Sequence, residues 1–176
     1  MAIYYGDGSN SATGRTVQTV QYIYTTSLSA TSNDGYKSML TGAYIQPKNA
    51  DSKILVTVCL GRISGPSNSV ACRLLRDRGG VDITAIGVHT SSSSYPQLSF
   101  MNYGKGPVND DHADGQTFVW LDTHGDSAGD SCYYTLQVWG QGGGTMYINR
   151  TQGSNDTNQP YAGRTASSIT LQEITV

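Results

Sequence analysis

The sequence has little of what builds helices. Its 176 residues include a single glutamate, Glu173, and four lysines, whereas glycine occurs 21 times and tyrosine 12 times. Glu, Lys and Ala fill helices, while Thr, Tyr and Val fill strands. No run of more than ten residues has a convincing helical period, and no heptad repeat is present. The composition therefore excludes a coiled-coil shaft and favours an all-β chain.

Strong charge and long apolar runs are also missing. The net charge is −2, and Lys and Arg are scattered singly, so no basic field indicates nucleic acid or an anionic membrane. No stretch approaches the ~20 apolar residues of a membrane-spanning helix. The N-terminal "MAIYYGDGSN" lacks the charged and apolar regions of a secretory signal, so we expect no export. The sequence predicts neither a nucleic-acid nor a membrane partner.

Cysteine is scarce and irregularly spaced. Cys59, Cys72 and Cys132 form no CxxC motif, which argues against a zinc ribbon or a redox pair. Because their number is odd and no signal is present, we expect free, buried thiols. If Gly65 and Pro66 form the tip of a hairpin, Cys59 and Cys72 become cross-strand neighbours. A disulfide between them stays open, although its geometry would be awkward.

Period-two segments predict about eight to ten strands. They include residues 14–27, 52–63 and 98–103, together with "AYIQP", "VACRLLRD", "VDITAIGVHT", "QTFVWLD", "CYYTLQVWG", "TMYINRT" and "SSITLQEITV". The run 52–63 is nearly continuous in apolar residues, so we expect both of its faces to be covered. "QGGG" is typical of a hairpin turn. With turn signals about every ten residues, we predict a short arm (1–13) and a single antiparallel β-sandwich or jelly roll (14–176).

The segment "NDDHADGQTFVWLDTHGDSAGD" at 109–130 is the most chemically suggestive. Its apolar middle predicts a short strand, which separates the two acidic ends by about 15–20 Å. We therefore expect two exposed loops and no single catalytic or metal centre, and we expect alanine at both histidines to leave the fold intact. A weak cation site in one loop is the alternative, although neither loop has a calcium-loop pattern. The candidate loop residues are Asp110, Asp111, His112, His124 and Asp126.

Motifs for catalysis are weak throughout. "GDSAG" at 125–129 fits the letters of a serine elbow with Ser127 as nucleophile, but the elbow needs a strand followed by a helix. Paired carboxylates for glycoside hydrolysis are poorly supported by one glutamate and turn-bound aspartates. The sequence therefore predicts a protein that is not an enzyme, with no catalytic, cofactor-binding or metal-ligating residues. A carbohydrate-active enzyme remains a distant alternative.

Six segments resemble, in the same order, a group of short structural proteins of tailed phages, common in marine phages. They are "MAIYYGDGSNSATGR", "SKILVTVCLGR", "RLLRDRGGVDI", "FVWLD", "YTLQVWGQGGGTMYINR" and "SSITLQEI". The resemblance covers nearly the whole chain, and its opening and "GGGTMYINR" are the most specific parts. It implies a trimeric jelly roll like those of the tumour-necrosis-factor and complement globular-head superfamily, carried on virions without catalytic residues. The acidic loops depart from the Ser/Thr-rich loops of that group.

The resemblance implies a non-enzymatic virion surface protein, made in the host cytoplasm, whose partners are its own copies and other virion proteins such as the major capsid protein. Tyrosine abundance and the apolar run 52–63 also fit a homotrimer. We expect a capsid decoration (cement) protein, because only a short arm precedes the first strand. Tyr4 and Tyr5 in that arm are the candidate particle anchors. The alternative is a tail-fibre or receptor-binding tip that adheres to host surface glycans.

Overall fold

The computed structural model describes residues 14–31, 35–65, 69–80, 82–89, 97–103, 114–140, 144–151 and 163–175. These residues form eleven strands and contain no helix long and apolar enough to cross a membrane. The strands are β1 (Thr16–Tyr24), β2 (Leu28–Thr31), β3 (Lys37–Ile45), β4 (Lys53–Ser64), β5 (Ser69–Asp77), β6 (Ile83–Ile86), β7 (Phe100–Tyr103), β8 (Asp114–Asp122), β9 (Cys132–Gly140), β10 (Thr145–Ile148) and β11 (Ser167–Ile174).

The strands form two antiparallel sheets packed face to face. The first has the order β1-β11-β4-β10-β2, with β8 also paired to β4, and the second has the order β3-β9-β5-β6, with β7 also paired to β5. The pairing is nested: β1 joins β11, β3 joins β9, β4 joins β8, and β5 joins β6. This is the double Greek key of a jelly roll. The predicted all-β sandwich is confirmed, with β2 as the strand that the sequence pattern missed.

The core lies between the sheets and follows the two-residue period of the strands. In β4, Ile54, Val56, Val58 and Leu60 are buried, while the residues between them are half-buried on the outward face. Within one chain, the expectation that both faces of 52–63 are covered is met fully on the inward face and in part on the outward face. From the second sheet, β3 and β9 contribute the fully buried Leu40, Tyr134, Leu136 and Val138.

Two predicted hairpins are wrong. The pairs β4–β5 and β9–β10 each lie in different sheets, because both edges of β4 and β5 are occupied by other strands. Cys59 therefore faces Ser168 and Thr117, while Cys72 belongs to the opposite sheet, so the two are not cross-strand neighbours. All three thiols are free; Cys72 and Cys132 are buried, as expected, whereas Cys59 is half-buried. Burial raises the pKa of Cys132 to about 12, which keeps it protonated.

Candidate functional site

Of the predicted site residues, the structure places two. Tyr4, Tyr5, Asp110, Asp111 and His112 lie outside the described residues. His124 and Asp126 follow β8 in the loop that leads to β9. β8 is nine residues long, longer than the strand of about five residues that the sequence predicted.

The predicted exposure of His124 and Asp126 is wrong, since both side chains are buried. Hydrogen bonds within the loop and to other elements compensate part of the cost of this burial. His124 Nδ1 accepts the backbone N–H of Asp126 at 2.9 Å, and Arg78 Nε donates to Asp126 Oδ1 at 2.7 Å. His124 Nε2 lies 3.4 Å from Ser52 Oγ. Alanine at His124 would remove these buried contacts, contrary to the tolerance expected from the sequence.

Ser52, His124 and Glu173 bring together a hydroxyl, an imidazole and a carboxylate, but not as a catalytic triad. Because His124 Nδ1 accepts the Asp126 N–H, the ring proton is on Nε2, which then donates to Ser52 Oγ. A serine nucleophile needs a base that accepts its proton at that nitrogen. Ser52 Oγ instead donates to Glu173 Oε1 at 2.8 Å, and all three side chains are buried. The arrangement stabilises the fold.

Glu173, the only glutamate, is the centre of this buried network. Its Oε1 accepts the backbone N–H groups of Lys48 and Asn49 at 2.9 and 3.0 Å, in addition to the Ser52 hydroxyl. Its Oε2 accepts Gln18 Nε2 at 2.7 Å. Hydrogen bonds to an ionised carboxylate are stronger than neutral ones. Glu173 therefore joins the end of β11 to β1 and to the loop between β3 and β4.

The stability of the protein should depend on the ionisation of Glu173. Burial alone raises the pKa of this carboxyl, but hydrogen bonds from the Lys48 N–H, Ser52, Gln18 and the Asn49 N–H outweigh it and lower the pKa below its ordinary 4.5. Because the pKa of Glu173 is lower in the folded state, its ionisation stabilises the fold fully at pH values above the ordinary pKa. This stabilisation is lost as the pH falls through the lowered folded-state pKa. We expect the free energy of unfolding to drop between about pH 5 and pH 3, and the drop to shrink in Glu173→Gln. Urea unfolding across that pH range measures the drop for the wild type and for Glu173→Gln. Equal drops in the two proteins would contradict the assignment of this pH dependence to Glu173.

A second polar cluster is centred on Asp122. Asp122, the last residue of β8, accepts Arg76 Nη1 through Oδ1 and the Tyr134 hydroxyl through Oδ2, both at 2.9 Å. These contacts fasten the end of β8 to β5 and β9. In the described part of the chain, no three His, Cys, Asp or Glu side chains are placed to hold a metal ion.

The outward face of the first sheet carries an apolar area at one end, here called the β4–β8 surface: Leu55, Val119 and Leu121. Leu55 and Leu121 are direct cross-strand partners, and Val119 lies on the same face two residues along β8. Val119 and Leu121 are 52 and 47% exposed. Trp120, between them in β8, is also exposed but lies on the opposite face of the sheet, across from Val56. Among the described strands, β8 pairs only with β4. The edge strand thus presents both apolar side chains and a row of backbone groups.

The rest of the outward face of the first sheet is more polar than the β4–β8 surface. The outward residues of the neighbouring strand β11 are Ser168, Thr170 and Gln172, which are polar, and the half-buried Ile174 at its end. The apolar character is therefore concentrated at β8 and the adjoining part of β4, whereas Ile23 on the far edge strand β1 is an isolated exposed residue. Single exposed apolar residues are ordinary, but clustered ones mark interaction sites.

Comparison with known proteins does not assign the chain to a family. No family model and no curated protein matches it. Among solved structures, it is similar at 12% identity to a chain of infectious bursal disease virus Gx strain (TM-score 0.39, 92% of this chain) and to one of the Gt strain (TM-score 0.40, 90%). This chain spans only 38 and 40% of those two viral chains. Similarity at this level defines neither a family nor a function.

Proposed function

We propose that this chain is a non-enzymatic virion surface protein of a tailed phage that assembles as a homotrimer and decorates the capsid. The sequence resemblance along the chain supports the virion role, and the jelly roll agrees with what that resemblance implies. The observation that carries the self-assembly is the β4–β8 surface. A cluster of exposed Leu and Val side chains on one face of an edge strand is unfavourable in water unless a partner covers it.

A second copy is the partner that the resemblance favours. A closed ring of three copies would use a heterologous contact, in which the β4–β8 surface of one protomer meets another surface of its neighbour. We expect each protomer to bury more than the ~800 Å² per partner of a standard interface. Half-buried Cys59, the outward neighbour of Thr57 and Leu55 along β4, would be enclosed with it.

Receptor binding is the alternative role. A decoration protein needs only a compact trimer and a short gripping arm, whereas a tip needs a surface that recognises the host. The exposed tyrosines of β3 and β9 favour this second role, because aromatic side chains with one wet face are common at binding surfaces. The Ser52–His124 pair does not support catalysis, because the imidazole nitrogen that faces Ser52 carries the ring proton and cannot act as a base.

The N-terminal arm is the proposed attachment device, with Tyr4 and Tyr5 as its anchors. Ordering such a Gly- and Ser-rich arm costs about 1–2 kcal/mol per residue of backbone, so a binding partner must hold it. We expect deletion of residues 2–13 to leave the trimer intact and to abolish binding to particles that lack the native protein. Light scattering and particle co-sedimentation measure the two properties. Unchanged occupancy of the particles by the truncated protein would refute the role of the arm.

A further inference from the structure

A cleft of about 510 Å³ opens where the edge strands of the two sheets, β1 and β3, approach each other. This volume is within the range of small-molecule binding sites. Its apolar lining is Val20, Tyr22, Tyr44, Ile45 and Pro47, and its polar lining is Gln18, Gln46 and Lys48, with Gly129 at the border. The cleft belongs to a single protomer and lies away from the β4–β8 surface, across β11 and β4.

Three tyrosine rings form a row that begins in the cleft and continues onto the outward face of the second sheet. The ring centroids of Tyr22 and Tyr44 are 6.1 Å apart, and those of Tyr44 and Tyr133 are 5.4 Å apart. The Tyr22 hydroxyl donates to the backbone carbonyl of Tyr44 at 3.0 Å, which fixes the Tyr22 ring. Tyr44 is 42% exposed, and Tyr133, its direct cross-strand partner, is also exposed. The row therefore offers apolar ring surface to a ligand.

The polar side chains at the rim are held in place before any ligand arrives. Gln18 Nε2 donates to the backbone carbonyl of Gln46 at 2.6 Å and to the buried Glu173 carboxylate. Gln46 Nε2 donates to Ser131 Oγ at 3.3 Å. The same Glu173 carboxylate accepts the Lys48 N–H, so the rim is supported by the buried network behind it. A preorganised site loses less entropy on binding.

We propose that this cleft binds a neutral oligosaccharide, with sugar rings stacked along Tyr44 and Tyr133 and hydroxyl groups at the amide-rich rim. A sugar ring combines an apolar C–H face with hydroxyls that both donate and accept. The tyrosine faces match the first property. For the second, the amide oxygens of Gln18 and Gln46 can accept, and the second Gln46 N–H and the Lys48 ammonium can donate. Lys48 is the only charged side chain of the lining, and a single cation is too little charge to match a highly anionic ligand. The inference does not depend on the proposed trimer.

A glycan array probed with the purified full-length protein tests the proposal. We expect binding to neutral glycans, a loss of about tenfold or more in affinity for Tyr44→Ala, and retention in Tyr44→Phe, which keeps the ring. Tyr133→Ala should weaken binding as well. Tyr147→Ala is the matched control, because this half-buried tyrosine lies on β10 in the other sheet.

Thermal unfolding of each variant establishes that a loss of binding is not a loss of fold. Three results would overturn the proposal: no bound glycan, binding only to sialylated or sulfated glycans, or equal binding by Tyr44→Ala and the wild type. Capture of an extended peptide at the β1 edge without any glycan binding would overturn it too.

Discussion

Replacing Glu173 with glutamine is expected to lower the free energy of unfolding at neutral pH by roughly 3 kcal/mol. The carboxylate accepts two backbone N–H groups, a serine hydroxyl and the Gln18 amide, all in a buried position. An amide has half the acceptor capacity, and its NH₂ group would face donors. With the amide oxygen in the Oε1 position, the NH₂ group would face the Gln18 donor, and the Lys48, Asn49 and Ser52 donors would lose a charged acceptor. Urea unfolding of the purified variant measures the loss.

The matched control is Gln172→Ala on the same strand. Gln172 is one residue from Glu173 but points outward, where its amide lies 3.5 Å from Thr19 Oγ1. Surface substitutions of this kind stay within about 0.5 kcal/mol. If Glu173→Gln were as mild as the control, the buried network would not be what fixes this end of the sandwich.

An aspartate at Leu121 should dissociate the proposed homotrimer. Leu121 is at the centre of the β4–β8 surface, opposite Leu55, and a charge enclosed there without a partner costs several kcal/mol. We expect the apparent dissociation constant to rise by about a hundredfold or more, while the monomer stays folded because the side chain is outside the core. Sedimentation equilibrium over a range of concentrations measures the change.

Ile23→Asp provides the control for this substitution. Ile23 lies on the same sheet and is more exposed than Leu121, at 62 against 47%, but it belongs to the opposite edge strand, β1. The same charge there should leave the trimer unchanged. A wild-type monomer at all concentrations, or a Leu121→Asp variant that remains trimeric, would show that the β4–β8 surface has another purpose.

The strands were predictable because the two-residue period survives in most of them. In β11, Ile169 and Leu171 alternate with polar residues, and the same pattern recurs in β9. The four-residue β2 was missed because "LSAT" is too short and too polar to show a period. Local pattern thus identified the elements and the fold class.

The connections were not predictable from local pattern. A short Gly- and Ser-containing loop fits a hairpin as well as an arch between sheets, and the choice depends on which strands occupy the neighbouring edges. β4 is flanked by β11, β10 and β8, which come from distant parts of the chain. No feature of residues 52–77 alone reveals those partners, so the Cys59–Cys72 register was misassigned.

The buried network was missed although one signal was available. Glu173 continues the inward series of Ile169 and Leu171, so alternation alone places a carboxylate in the interior, where it needs donors. His124 offered no such signal, since its burial results from a loop conformation closed by Arg78 and Ser52, both distant in sequence. Likewise, the β4–β8 surface forms because β4 and β8 pair. The two-residue period of a strand does not reveal which other strand it pairs with.

The number of copies of this protein in purified phage particles tests the central proposal most directly. Quantitative mass spectrometry against the major capsid protein gives that ratio. If the protein is a capsid decoration trimer, its copy number is comparable with that of the major capsid protein. Each attachment site then holds three copies. Absence of the protein from purified particles would contradict a virion role, and a copy number at the level of the tail proteins would contradict decoration in favour of the receptor-binding alternative.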